Sequence, residues 1–123
     1  MNSFHWLRKR KELKAVPKHF GTIFVVERVS QVPDEINIDV YIVRRGRRNI
    51  WAVFTCPCGT HHRLTVNLSK NRIPFWRAIT RRGSFSLSPS ISLKEDCYSH
   101  FWIENHRIVW VNRPHQDAYE IKD

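Results

Sequence analysis

Acidic residues are scarce in this chain. There are 11 Asp and Glu against 21 Lys and Arg, a formal net charge of +10. The imbalance weighs against a basic partner and favours an acidic one: nucleic acid, an anionic membrane or an acidic protein. Long apolar runs are missing too. No stretch of about 18 apolar residues occurs, so no helix is expected to span a bilayer. Met1 to Lys18 is basic and lacks the apolar core of a signal peptide, so the expected compartment is a reducing cytoplasm. Cysteine is sparse and odd in number, three in all. Intramolecular disulfides would leave one unpaired, and in a reducing interior clustered cysteines are more often ligands or catalysts. No internal repeat or low-complexity segment is visible. Helical periodicity is absent after residue 20, which excludes a helix bundle.

What is present reads as one mainly β domain. Its 123 residues, 41% of them hydrophobic, suffice for a modest core. The expected organisation is a basic arm with helical propensity over 1–19, a metal-binding antiparallel β domain over 20–113, and a polar tail over 114–123. Pro17 would stop a helix in the arm. Thr22 to Val29 is rich in β-branched and aromatic residues and reads as a strand. Asn37 to Val43 alternates, with Ile36, Ile38, Val40 and Ile42 on one face. Arg44-Arg45-Gly46-Arg47-Arg48 is a hairpin tip, Gly46 supplying a positive φ. Those arginines repel one another unless an anion lies among them. Ile50 to Phe54 follows, with Trp51 and Val53 facing away from Ala52 and Phe54. His62 to Leu68 is another strand, Leu64, Val66 and Leu68 sharing a face. Phe75-Trp76 restarts apolar packing, and Arg81-Arg82-Gly83 is a turn. Phe85 to Ser92 alternates except at Pro89, which implies an edge or a bend. Phe101-Trp102-Ile103 and Arg107 to Val111 flank a turn at Asn105-His106.

All three cysteines lie in two short pieces, Cys56-Pro57-Cys58-Gly59-Thr60-His61-His62 and Cys97-Tyr98-Ser99-His100. Cys-x-Cys on a tight turn offers two sulfurs to one ion, and Gly59 relaxes the backbone after it. Cys-x-x-His offers a sulfur and an imidazole from a second bend. The reading is a Cys₃His site of Cys56, Cys58, Cys97 and His100, with His61 and His62 as alternatives for the nitrogen ligand. Thiolate with imidazole suits one zinc ion. A Rieske-type iron–sulfur centre takes two cysteines and two histidines, a count that His62 would restore in place of one cysteine. Ser99, inside the second knuckle, suits a hydrogen bond to a ligand sulfur.

Five pieces occur in order: Cys56-Pro57-Cys58-Gly59, Phe75-Trp76-Arg77, Ser86-Leu87-Ser88-Pro89-Ser90-Ile91, Cys97-Tyr98-Ser99-His100-Phe101-Trp102-Ile103, and Arg107-Ile108-Val109-Trp110. Together they resemble a bacterial domain family encoded in operons with a ubiquitin-like protein and homologues of its activating and conjugating enzymes. The resemblance covers roughly residues 50–111. It implies a small Rieske-like or zinc-ribbon-like β fold with a bound metal, and a peptidase that trims or removes the modifier. Two positions depart from the pattern. Thr60 stands where many members carry another cysteine, and His106 where members often have glycine.

If the chain is a peptidase, a closed four-ligand metal leaves the chemistry to serine and histidine. Ser88 and Ser90 flank the stiff Pro89, and His62 or His61 could serve as the base. No Gly-x-Ser-x-Gly elbow is present. Two other readings compete. One is a non-catalytic zinc module for nucleic acid or protein, with Trp51, Phe75, Trp76 and Trp102 as stacking surfaces. The other is a Rieske-like electron carrier.

Overall fold

The computed structural model describes residues 19–59, 62–94 and 97–112. The expected arm up to Lys18 and the expected tail fall outside these, as do Thr60 and His61. Two four-stranded sheets make the fold. The first holds β1 (Ile23–Val26), β2 (Val40–Arg45), β3 (Arg48–Thr55) and β4 (Arg63–Asn67), in that order. The second holds β5 (Arg77–Ile79), β6 (Ser86–Ser92), β7 (His100–Glu104) and β8 (Arg107–Asn112), again in order. Each strand thus pairs with its sequence neighbour, as short connections favour. All pairings are antiparallel except β1 with β2, which is parallel.

Strand alternation builds the core. Val40 and Ile42 from β2, Ala52 and Phe54 from β3, and Val66 from β4 meet Leu87, Ile91, Phe101 and Ile103 from the second sheet. Phe20, Phe54 and Phe85 pack edge to face, with centroids 5.4, 5.7 and 6.1 Å apart. Such aromatic pairs contribute about 1 kcal/mol each beyond their buried area. The opposite face of the first sheet is also covered. There Val43 and Val53 pack with Val32 and Ile36, and Trp51 leans on them. The alternation of Trp51 and Val53 against Ala52 and Phe54 therefore divides β3 between two apolar clusters.

Several boundaries differ from the sequence reading. The first strand ends at Val26, and a 3₁₀ turn occupies Val29–Gln31. The reason is local: Gln31 Oε1 accepts from the backbone N–H of Glu27 and Arg28 at 2.8 and 2.9 Å, taking those donors out of a ladder. β2 starts at Val40 and not at Asn37, because Asn37 is left-handed at φ 51 and turns the chain, leaving Ile38 exposed. The hairpin tip forms as read, with Arg45 paired to Arg48 across Gly46 at φ 62. The last turn also forms as read, with Asn105 and His106 at φ 49 and 74.

Two side chains tie the elements together. Asn67, at the end of β4, donates to the carbonyls of Ser69, Arg72 and Pro74 at 3.2, 3.1 and 2.9 Å and accepts from Ser69 N–H at 3.0 Å. It thereby shapes the crossover between sheets. His106 Nδ1 accepts from the Phe85 N–H at 3.1 Å, while its Nε2 bonds to the carbonyl of Gly21. One ring so fastens the segment before β1 to the entry of β6.

A sulfur cluster and a serine–histidine pair

The two cysteine-bearing bends converge. Cys56 ends the core face of β3, since it shares parity with Ala52 and Phe54, and all three are buried. Its N–H bonds the carbonyl of His62 at 2.8 Å, closing the first bend at its base. Gly59 turns that bend at φ 95. His62 shares parity with Leu64, Val66 and Leu68, so the strand pattern aims its ring at the core side. The second bend reverses at Tyr98, φ 51, and delivers Cys97 from the other sheet. Cys56 Sγ lies 3.7 Å from Cys97 Sγ, and His62 Nε2 lies 3.4 Å from the same sulfur. The ligand atoms of Cys56, Cys58, His62 and Cys97 all lie within 4.8 Å of one another.

This group could hold a metal ion. The fit is geometric. Around a tetrahedral ion with bonds of about 2.3 Å to sulfur and 2.0 Å to nitrogen, S···S is about 3.8 Å and S···N about 3.5 Å. None of the three sulfurs is in a disulfide, and the 3.7 Å between Cys56 and Cys97 is far beyond the disulfide bond length of about 2.05 Å. Left without a cation, Cys56 resists ionisation. The Cys56 thiol is pushed well above its ordinary range by its hydrogen bond with Cys58, then by burial, then by the charges of Cys58 and Cys97. A bound cation reverses that preference. Ser99, fully buried, donates its hydroxyl to Cys97 Sγ at 3.0 Å, the contact its place in the knuckle suggested.

Of the histidines that the sequence offered as the nitrogen ligand, it is the alternative His62 that lies among the sulfurs. His100, read as the fourth ligand, lies outside the sulfur group, and His62, read as a base for serine, lies within it. The cause is alternation along β7. Phe101 and Ile103 are buried in the core, so His100 and Trp102 face outward. On that outer face His100 meets the serine stretch. Its Nε2 is 2.9 Å from Ser90 Oγ.

Ser90 reaches His100 because β6 is irregular there. Leu87 pairs with Ile103 and Ile91 with Phe101, so Ser88-Pro89-Ser90 stands opposite the single Trp102. Pro89 has no N–H to give the ladder, and the surplus residues bulge outward. The bend expected at Pro89 is therefore present, in an interior strand. The indole Nε1 of Trp76 donates to the Ser90 carbonyl at 3.2 Å and steadies the bulge. Ser90 is half-buried, whereas Ser88 is exposed and has no side-chain hydrogen bond to a described residue. Among the described residues, no carboxylate reaches the other ring nitrogen of His100.

Among the described residues no helix is long and apolar enough to cross a membrane. Residues 26–111 match the model of a family described as bacterial ubiquitination-like system serine protease (BubE). No curated protein and no solved structure matches the chain.

Proposed function

The chain belongs to the BubE family of bacterial ubiquitination-like system serine proteases, and on that premise we propose that it is a zinc-stabilised serine peptidase of the bacterial cytoplasm that processes or removes a ubiquitin-like protein. The observation that carries the reading is the contact of Ser90 Oγ with His100 Nε2 at 2.9 Å on an outward bulge. That is the spacing at which an imidazole takes a serine proton.

The chemistry follows from these two side chains. Ser90 Oγ attacks the acyl carbon at the modifier's C-terminal bond, and its proton passes to His100 Nε2. The imidazolium returns the proton to the departing amine or hydroxyl as the old bond breaks. Water then repeats the sequence on the acyl-serine and frees both products. For this cycle Nε2 must begin as acceptor, with the neutral ring's proton on Nδ1. Ser88, on the other side of Pro89, has no such base among the described residues.

Cys56, Cys58, His62 and Cys97 would hold the zinc. The set of three sulfurs and one nitrogen suits zinc better than the two-and-two set of a Rieske centre. When bound, such an ion supplies a cross-link between the two bends and offers no open position for water. Its bearing on catalysis is positional, because Cys97 lies in the bend from which β7 and His100 emerge.

The test is incubation of the purified protein with the precursor of the ubiquitin-like protein, followed by intact-mass measurement. The native chain and Ser88→Ala should shorten the precursor, and Ser90→Ala should not. Cleavage by Ser90→Ala at the native rate would dismiss the serine mechanism.

A further inference from the structure

A cavity of about 820 Å³ lies between the β2–β3 hairpin tip and the chain leading into β5. Arg47, Arg48, Lys70 and Arg77 line it, together with Phe75 and Trp76. No acidic residue is in its wall. None of these four cations has an ion pair with any described residue. Like charges gathered around one hollow repel unless an anion enters it. The volume is typical of a ligand site and the chemistry of this one calls for negative charge.

The surroundings point to the kind of anion. Among the described residues β5 pairs with β6 on one side only and is the edge of its sheet, and the outer side of an edge strand offers backbone donors and acceptors. An extended peptide can add there as a further strand. Arg77 pairs with Ser88 across the ladder, and Trp76 bonds the carbonyl of Ser90. A strand laid in the cavity along β5 therefore lies one strand away from the serine bulge. We propose that the cavity binds an acidic, extended segment of the peptidase's own substrate, seated along the open edge of β5 with that strand between it and the Ser90 bulge. The proposal rests on the peptidase reading and names the substrate chemistry of that site.

The experiment separates the two. Full-length Ser90→Ala protein, which cannot turn over, is titrated into a short labelled peptide rich in Asp and Glu. Parallel titrations use the same peptide with every acid replaced by its amide, and a single-stranded DNA oligonucleotide. Fluorescence anisotropy is read at low and at physiological salt. The acidic peptide should bind about tenfold more tightly than its amide counterpart, an advantage that shrinks with salt. Adding Arg47→Gln and Arg48→Gln, or Arg77→Gln, should remove most of it, with the melting temperature unchanged. Equal binding of the two peptides, or a preference untouched by these variants, overturns the proposal. So does tighter binding of the oligonucleotide through the same arginines. Discrimination that persists while the native protein cleaves nothing upholds the acidic cavity and sinks the peptidase reading instead. Cleavage without discrimination does the reverse.

Discussion

Cys97 and His100 belong to one bend yet serve opposite faces of the second sheet. The cysteine sulfur lies 3.4 Å from His62 Nε2 in the interior, whereas the histidine ring lies 2.9 Å from Ser90 Oγ outside. Ser99 between them is fully buried and donates to the Cys97 sulfur. The bend thus connects the sulfur cluster to the serine–histidine pair.

The two histidines should separate cleanly by mutation. His100→Ala should keep its metal and its melting temperature and lose peptidase activity by about a thousandfold or more. His62→Ala should lose metal and melt lower, with activity falling as a consequence. Elemental analysis beside thermal denaturation and a cleavage assay reads all three. A metal-free His100→Ala protein would restore the opposite assignment.

Chelation should act on stability first. Three buried thiols with Cys56 held protonated are a poor substitute for a cross-linked site. Treatment with a strong chelator should lower the melting temperature, and readdition of zinc should bring it back. The same treatment should release about one equivalent of metal per chain, measurable with a chromogenic zinc indicator.

Ser99→Ala removes the hydroxyl that bonds the Cys97 sulfur without touching a ligand. Metal affinity should drop by about 10- to 100-fold, the usual range for such a supporting contact. Competition against a chelator of known affinity measures it. Ser99→Cys, larger in a fully buried position, should do worse.

Asn67 and His106 should prove more important than polar residues near turns usually are. Asn67→Ala deletes donors to three carbonyls and the acceptor for Ser69 N–H, and should cost about 1–3 kcal/mol. His106→Gly gives a backbone suited to the positive φ but abandons Phe85 N–H and Gly21. Its net loss should be about 1–2 kcal/mol. Urea denaturation followed by tryptophan fluorescence gives both values.

Much of the fold was legible because strands write their burial into every second residue. Leu64, Val66 and Leu68, or Phe101 and Ile103, announce their faces without help. The same rule carried one step further assigns the histidines. His62 continues the inward series of β4, and His100 the outward series of β7. Ligand spacing, Cys-x-x-His, points to His100 instead, because spacing along a chain says nothing about which side of a sheet a ring leaves from. The roles of Asn67 and His106 had no comparable signal, because their partners are backbone atoms whose positions depend on the finished crossover and turn.

From its sequence alone, this chain determined its mainly β character, its turns at Gly46 and Asn105-His106, the cysteines that meet, and the serine–proline bend. These are local matters of side-chain parity, backbone freedom and residue chemistry. Tertiary structure alone decided that His62 meets Cys97 from the other sheet, that the bulge brings Ser90 within reach of His100, and where the unpaired cations gather. Those outcomes depend on the register between strands distant in sequence, and only the packing of one sheet on the other sets that.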